Sequence, residues 1–338
     1  MNFAKSTLAS APLVSVVIPV YNVEQYISQA LNSVLKQSYQ NLEVVVVDDE
    51  SPDGSIDLIH REFNDPRLRI VRQANTGLAG ARNTGIRESK GELIAFLDSD
   101  DAWSLDKLQQ HVDVMQANPK CGISFSASEF IDEQGRHLGR FQAPLKKHGF
   151  EPKDIFCRNP IGNGSAPVIR KDILQMIAYP TGLHKSSAHV PGQYFDESLK
   201  QSEDVDCWTR IALITDTQFE FIDKPLTYYR LNNGGLSADV EKQFSTWMFL
   251  LRKLETYSPD FAAEYGPVAK AFQYRYLARR CLLQGRAKDA LVLMVRAFQT
   301  RPVALLTEFR KTIETLGLGL LLVALPQALQ LRILNRLI

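Results

Sequence analysis

The sequence predicts an α/β fold with a mostly parallel central sheet covered by helices on both faces, followed by an all-helical C-terminal region. Strand-like and helix-like patterns alternate through the first hundred residues, which is typical of βαβ units. The strand-like segments are unbroken runs of Val, Ile and Leu, as in strands that are buried on both faces. From residue 243 onward, only helical spacing of apolar residues occurs.

Local composition and periodicity predict each element in turn. Val14–Val20 is rich in β-branched residues and predicts the first strand. Apolar residues recur at helical spacing between residues 23 and 37 and predict the first helix. The later elements are predicted as strands at 42–47, 68–71, 92–97, 121–127 and 219–222, helices at 54–63, 77–88, 104–117 and 203–214, and irregular structure at 132–201.

Composition and charge narrow the function classes. The chain has 338 residues, of which 45% are hydrophobic and 23% are charged, as in ordinary globular proteins. Residues 241–338 carry 15 Lys and Arg against 7 Asp and Glu, whereas the other 240 residues carry 24 against 31. The basic C-terminal region suggests an anionic surface as its partner, and a solvated helical face is the alternative. The four cysteines form no metal-ligand pattern and fit a reducing compartment.

Polar or aromatic residues follow each of the first four predicted strands. The carboxyl ends of parallel strands meet at one edge of a sheet, and ligands bind beyond that edge. The fourth strand runs into three carboxylates, whose mutual repulsion a divalent cation such as Mg²⁺ or Mn²⁺ would relieve. The alternative is a solvated acidic turn that caps the next helix at Ser104. The strand-end residues are Tyr21-Asn22, Asp48-Asp49, Arg72-Gln73 and Asp98-Ser99-Asp100-Asp101.

Taken in order, these strand ends and two further segments resemble a family 2 glycosyltransferase with the fold that this family calls GT-A. The resemblance covers about residues 12–235. It implies a nucleotide-sugar donor, a divalent metal (Mn²⁺ or Mg²⁺) and transfer with inversion at the anomeric carbon. The segments that carry it are residues 14–22, Val47-Asp48-Asp49-Glu50-Ser51 with Asp53-Gly54-Ser55, residues 75–85, Asp98-Ser99-Asp100-Asp101 and Glu203-Asp204.

The resemblance also implies roles for individual residues on the donor side. Asp49 would bind the base through its imide N–H, with turn and cap chemistry as the alternative. Arg82 would contact the nucleotide or the acidic edge, and an internal salt bridge is the alternative. Asp100 would bind the metal, supported by Asp101. The full set of implied nucleotide-sugar contacts is Pro19, Tyr21, Asn22, Asp49, Arg82, Asp98 and Arg230.

A catalytic base is implied at the start of the 203–214 helix. Inversion needs a group that removes the proton from the acceptor hydroxyl, and Asp204 is the implied base, with Glu203 in support. The alternative is that both acids merely favour the positive helix N-terminus, which would lower a carboxylate pKa. One departure concerns Glu50, where the family often has Gly. We expect Glu50 to point to solvent and the turn to be shaped differently.

The expected function is transfer of a single sugar, with a UDP-sugar as donor and a glycan or lipid-linked hydroxyl as acceptor. The chain lacks the Gln-x-x-Arg-Trp motif of processive synthases and any apolar run of the ~18–20 residues that span a bilayer. The rival interpretations are a nucleotidyltransferase, a non-catalytic nucleotide-sugar-binding protein, and a nucleic-acid or scaffold protein. The last would leave the first two hundred residues unexplained, so we expect no nucleic-acid partner.

Three divisions of the chain are expected. Residues 1–102 would bind the nucleotide sugar, residues 103–238 would bind the acceptor, and residues 239–338 would form the helical region. Basic residues beside apolar helices suit the surface of an anionic membrane, which would place a cytoplasmic enzyme at the inner face of the cell membrane. Internal packing is the alternative, favoured for 265–315, whereas membrane contact is favoured for 316–338.

Overall fold

A computed structural model describes residues 10–178, 192–232, 240–326 and 329–330. Part of the segment predicted to be irregular, residues 179–191, lies outside the described residues, as does much of the end of the 316–338 segment. The chain divides into two compact units. One comprises residues 1–155 and 159–235, and the other comprises residues 156–158 and 236–338.

The first half of the first unit is a parallel sheet with alternating helices. The elements are β1 (Val14–Val20), α1 (Glu24–Leu35), β2 (Leu42–Asp48), α2 (Ser55–Glu62), β3 (Leu68–Arg72), α3 (Leu78–Glu88) and β4 (Leu93–Phe96). The strands lie in the order β3-β2-β1-β4, and all three pairs are parallel. Val16 and Ile18 pack into one core and Val17 into the other, because successive side chains of a strand point to opposite faces. The sheet is therefore covered on both sides, as predicted.

The second half extends the same sheet with mixed pairing. Its elements are β5 (Ala102–Trp103), α4 (Lys107–Ala117), β6 (Cys121–Ile131), β7 (His137–Gln142), α5 (Pro152–Arg158), β8 (Pro167–Arg170), α6 (Lys171–Met176), α7 (Glu203–Ile214) and β9 (Gln218–Arg230). Strand β8 is antiparallel to both β4 and β6, and β9 is parallel to β6. The α/β class is confirmed, with antiparallel strands added beyond β4.

Two predictions of secondary structure need correction. Residues 132–201 are not irregular throughout, since they contain β7, α5, β8 and α6. Strand β8 has only four residues and is completed by two distant strands, so its own sequence shows no periodicity. Strand β9 extends beyond 219–222 to Arg230. The exposed Asp223 and Lys224 break its apolar pattern at a shift in register against β6, which is where a bulge places unpaired residues.

The second unit is helical. It contains α8 (Val240–Tyr257), α9 (Pro259–Leu283), α10 (Ala287–Thr300), α11 (Pro302–Leu306) and α12 (Phe309–Ala324). Its core includes Leu277, Cys281, Met294 and Leu322. Gly285, at a φ of 75°, allows the tight turn between α9 and α10, which form a helical hairpin. In the part of the chain that the structure describes, we find no helix that could cross a membrane.

Candidate functional site

The candidate site lies where β1, β2 and β4 end, at one edge of the sheet. Pro19 is the residue of β1 opposite Val47, and the pairing of β1 with β4 has already ended at Val17 and Phe96. Because proline has no N–H to donate, the ladder to β4 does not continue past this point. Tyr21 follows β1 with 51% of its surface exposed, which leaves its ring open to a ligand. Asn22 adopts a left-handed φ of 56°, and its N–H donates to the Ser51 hydroxyl.

Asp49 is buried directly after β2 and holds the loop that leads into α3. Its two carboxylate oxygens accept hydrogen bonds from the backbone N–H groups of Thr76 and Gly77, both at 2.9 Å. The side chain of Gln73 donates a third bond at 2.7 Å. The carboxylate therefore orders residues 73–77 at the edge of the site. A direct contact with a nucleotide base, as the resemblance implies, stays a prediction.

Glu50 lies in the turn after β2, at the position where the resemblance implies a glycine. Its backbone takes the left-handed conformation itself, at a φ of 60°, so the turn keeps a shape that suits glycine. The side chain is exposed, and its carboxylate accepts a hydrogen bond from the N–H of Asn75 at 3.2 Å. The exposure of Glu50 agrees with its expected orientation towards solvent, and one hydrogen bond offsets part of the backbone strain.

The carboxylates of the acidic turn after β4 differ in exposure to solvent. Asp98 and Asp100 are partly exposed, whereas Asp101 is fully buried. Oδ2 of Asp100 accepts a hydrogen bond from the side chain of Asn232 at 2.9 Å. Burial, and after it the negative charge of Asp98, raise the pKa of Asp100 to about 6. The carboxylates of the turn therefore repel one another, as expected from the three acids in the sequence.

Arg82 links this turn to the start of α7. Its Nη2 donates to Asp98 and its Nη1 donates to Glu203, each at 2.6 Å, and the guanidinium is buried. Burial alone would lower the pKa of Arg82. The negative charges of Asp98 and Glu203 outweigh that effect, and the pKa lies above its usual range. Arg82 therefore contacts the acidic edge, and it does so through an internal ion pair. The structure combines the expected contact with the edge and the internal salt bridge that was its alternative.

Asp204 is the next residue after Glu203 and lies half-buried in the first turn of α7. Burial, and after it the negative charge of Glu203, raise the pKa of Asp204 to about 7, against the opposing charge of Arg82. Desolvation and the adjacent acid outweigh any lowering of this pKa by the helix N-terminus. A carboxyl group with this pKa gains and loses a proton near neutral pH, as a general base must.

Arg230 lies at the same edge but uses its guanidinium on the protein. Its Nε donates to the backbone carbonyl of Asp100 at 2.6 Å, and its Nη2 donates to the side chain of Gln29 at 2.6 Å. Its Nη1 donates to the carbonyls of Asp132 and Glu133. A contact with a diphosphate, which stays a prediction, would have to replace one of these bonds. What Arg230 does in this structure is brace the acidic turn.

The sequence did not single out the residues that pack behind the turn. Gly164 and Ser165 belong to a Gly- and Asn-rich segment in the region predicted to be irregular. A Cβ atom added to Gly164 would overlap the guanidinium of Arg82 and would approach Oδ2 of Asp98 to 3.2 Å. The signal that could have found them is a pair of small residues directly before a short apolar strand, although that pattern is common in loops.

We predict that Gly164→Ala lowers turnover by displacing Arg82 from its two carboxylate partners. Overpacking of this kind costs about 1–3 kcal/mol of stability, so the variant should still fold at 25 °C. Steady-state kinetics and thermal unfolding measure the two effects separately. Gly139→Ala is the control, since nothing lies within 4 Å of its added Cβ although its positive φ carries backbone strain. Equal turnover of both variants would contradict the prediction.

The residues at the turn fit a divalent cation. Among the described residues, no group of three or more His, Cys, Asp or Glu side chains is arranged to hold a metal on its own. A Mg²⁺- or Mn²⁺-type site needs only one or two carboxylates, because the substrate phosphates supply further ligands. Asp100 offers hard oxygen ligands, and a bound cation would relieve the repulsion that raises its pKa.

Comparisons with known proteins agree with this geometry. The family model for glycosyl transferase family 2 matches residues 15–177. TuaG of Bacillus subtilis, a glycosyltransferase assigned to teichuronic acid biosynthesis, is 30% identical over 246 residues, which are 72% of this chain and 89% of TuaG. The chain belongs to glycosyltransferase family 2. The family predicted from the motifs is thereby confirmed.

Another relative and a solved structure extend the family comparison. WfgD of Escherichia coli, a UDP-Glc:α-D-GlcNAc-diphosphoundecaprenol β-1,3-glucosyltransferase, is 41% identical over 136 residues, or 40% of this chain and 52% of WfgD. The mannosyltransferase PcManGT of Pyrobaculum calidifontis, solved with GDP-Man and Mn²⁺, has a TM-score of 0.56 and 21% identity, covering 91% of this chain and 87% of PcManGT. It confirms the GT-A fold. The chain spans 34% of the length of a Rickettsia bellii relative.

Proposed function

We propose that this glycosyltransferase moves a single sugar from a UDP-sugar to a hydroxyl of a glycan or lipid-linked acceptor, with inversion at the anomeric carbon. The observation that carries the proposal is the link made by Arg82, which joins the acidic turn at Asp98 to the Glu203-Asp204 pair. A donor-side carboxylate pair and a carboxyl group with a pKa near 7 thus lie at one edge of the sheet. Inverting transfer requires these two parts together.

In the proposed reaction, Asp204 accepts the proton of the acceptor hydroxyl while the hydroxyl oxygen attacks the anomeric carbon. The bond from that carbon to the diphosphate oxygen breaks on the opposite face, so the configuration inverts. A divalent cation bound at Asp100 would stabilise the negative charge on the departing diphosphate. Arg82 holds Glu203 and Asp98 in place, and Glu203 keeps the pKa of Asp204 raised.

The donor and the acceptor are proposed from the chemistry of the edge and from the relatives. The exposed ring of Tyr21 offers a stacking surface for a base, and Asp49 would select a base that carries an imide N–H. WfgD uses a UDP-sugar and a diphosphoundecaprenol-linked acceptor. A comparable role here would place the enzyme in the synthesis of a surface polysaccharide or glycoconjugate.

The test is incubation of the purified chain with Mn²⁺ and separate UDP-, GDP- and dTDP-sugars, with and without a diphosphoundecaprenol-linked GlcNAc acceptor. We expect release of UDP that depends on the acceptor, and mass spectrometry should show the acceptor heavier by one sugar. Incorporation of several sugars would contradict single transfer. Formation of a sugar nucleotide from a sugar phosphate and a nucleoside triphosphate would identify a nucleotidyltransferase instead.

We predict that kcat/KM rises with pH through about 7, because Asp204 accepts a proton only when it is ionised and its pKa is about 7. The charged and titratable groups around it are Glu203, Arg82, Asp98 and the thiol of Cys207. Glu203→Gln removes the adjacent negative charge, so the pKa of Asp204 falls and the profile should move to lower pH. A profile that stays in place, or moves to higher pH, would contradict this assignment.

The membrane contact is proposed for α11 and α12. One face of α12 carries four apolar side chains that are between 41% and 61% exposed: Phe309, Ile313, Leu320 and Val323. The exposed Val303 and Leu306 of α11 precede them. The exposed apolar residues therefore begin inside the 265–315 segment, for which internal packing was favoured. Residues 265–338 carry 12 Lys and Arg against 3 Asp and Glu, so an anionic bilayer is the partner that this composition favours.

We predict that the full chain floats with anionic vesicles at low salt and less at high salt, because charge attraction to the lipid is screened. Phe309→Ser with Ile313→Ser should weaken flotation. Val292→Ser with Val295→Ser, on the exposed part of α10, is the matched control and should float like the wild type. A protein that stays in the soluble fraction at low salt would contradict the membrane contact, and size-exclusion chromatography would show whether a second copy covers the face.

A further inference from the structure

The hydroxyl of Ser165 joins two parts of the acidic turn. Its Oγ accepts a hydrogen bond from the backbone N–H of Asp98 at 3.0 Å and donates one to Oδ2 of Asp101 at 2.6 Å. Ser165 is fully buried and lies two residues before β8, the strand that pairs with β4. One side chain therefore connects the first and last acids of the Asp98-Ser99-Asp100-Asp101 turn.

Ser165 is itself held from several directions. Its N–H donates to Oδ1 of Asn163 at 3.1 Å, and its carbonyl accepts a hydrogen bond from Nε1 of Trp103 at 3.0 Å. The carbonyl of the next residue, Ala166, accepts a bond from Nζ of the buried Lys107 at 2.7 Å. The backbone on both sides of the hydroxyl is thus fixed, and the hydroxyl has little freedom to move with the turn.

The second oxygen of Asp101 extends this support to another strand. Oδ1 of Asp101 accepts the backbone N–H of Arg230, the last residue of β9, at 2.9 Å. Arg230 in turn donates from its Nε to the carbonyl of Asp100. Ser165 and the Asp101 end of the turn are buried, while Asp98 and Asp100 are partly exposed.

We propose that Ser165 is a positioning residue for the donor site, which sets the turn so that the carboxylates of Asp98 and Asp100 face the diphosphate and its cation. The inference rests on the proposed function, since the turn needs this placement only if it binds a nucleotide sugar. Removing the hydroxyl leaves the backbone N–H of Asp98 and Oδ2 of Asp101 each without this partner, while Oδ1 of Asp101 keeps its bond from Arg230. Repulsion among the acids then moves the turn, and outer-shell partners of this kind affect metal binding by about 10–100-fold.

The chain offers a matched control in Ser15. Its fully buried Oγ accepts the backbone N–H of Gly91 at 2.8 Å and donates to the carboxylate of Glu43. Ser15→Ala therefore removes the same two kinds of hydrogen bond from the same sheet. Ser15 lies near the start of β1, away from the carboxyl ends of the strands. Both variants should lose thermal stability to a similar degree, so a difference in ligand binding reports on the position of Ser165.

The experiment is titration calorimetry of the full chain with UDP, in the presence and absence of Mn²⁺, together with thermal unfolding. We expect Ser165→Ala to weaken UDP binding in Mn²⁺ by about tenfold or more, and Ser15→Ala to stay within about twofold of the wild type. Ser165→Thr keeps the hydroxyl and should bind more tightly than Ser165→Ala. If Ser165→Ala does not fold, Ser165→Cys is compared with Ser15→Ala instead, because its thiol is close to the hydroxyl in size but is only a weak donor and acceptor.

Equal UDP affinities of Ser165→Ala and Ser15→Ala would overturn the inference and would leave the proposed function intact. Weakened binding by Ser165→Ala that is the same with and without Mn²⁺ would also overturn it, because the cation site would then be undisturbed. A wild-type protein that binds no UDP with Mn²⁺ would overturn the proposed function, and this inference with it.

Discussion

Asp204→Asn is expected to lower kcat by about 10²–10⁴-fold while UDP binding in Mn²⁺ stays as in the wild type. The amide has nearly the shape of the carboxyl group and keeps an oxygen for the bond from the N–H of Val205, which is 2.7 Å long in the native protein. It cannot take a proton from the acceptor. The substitution also removes a half-buried acid next to Glu203, so the variant should be no less stable than the wild type.

Asp113→Asn is the control for this variant, because it makes the same chemical change on an exposed position of α4. Steady-state kinetics with a saturating donor and calorimetry with UDP measure the two quantities. If Asp204→Asn lost UDP affinity and turnover to the same extent, Asp204 would bind the donor or support the fold instead of acting as the base.

The parallel half of the fold was predictable because each element carries its own signal. Strands β1, β2 and β4 are buried on both faces, so composition alone marks them. Since parallel strands end at one edge, the positions of Tyr21, Asp49 and the acidic turn also followed from the sequence. The second half was less predictable, because β8 and β9 depend on pairing with strands far away in the chain.

The interactions that shape the site could not be predicted from the sequence. Nothing local distinguishes Ser165 from other loop serines, and its hydroxyl acquires its role only when β8 pairs with β4. The raised pKa of Asp204 depends on burial and on Glu203, which outweigh the helix N-terminus that the sequence makes visible. The burial of a carboxyl group and the charges near it depend on the whole fold, so its pKa could not be predicted. The order of the motifs can be seen in the sequence itself.

Asp100→Ala is expected to reduce turnover by about 10³-fold or more, since charge stabilisation by a bound cation contributes several kcal/mol to the transition state. The fold should stay intact, because Asp100 is partly exposed and the side-chain hydrogen bond that the substitution removes is the one from Asn232. Burial and the charge of Asp98 raise the pKa of Asp100 to about 6, so its ionised form destabilises the folded state at pH 7. In EDTA, the variant should therefore unfold at the same temperature as the wild type or above it.

Asp106→Ala is the control for Asp100→Ala. It removes an acid outside the proposed cation site, so a difference between the two variants reports on that site. Asp106 precedes α4, is exposed, and makes no capping bond, so its variant should retain turnover and its response to Mn²⁺. EDTA should abolish turnover of the wild type and of Asp106→Ala, and added Mn²⁺ should restore both but not Asp100→Ala. Full activity of Asp100→Ala in EDTA would mean that the acidic turn has another role. A donor site that binds its cation through Asp100 cannot work when both the carboxylate and the cation are missing.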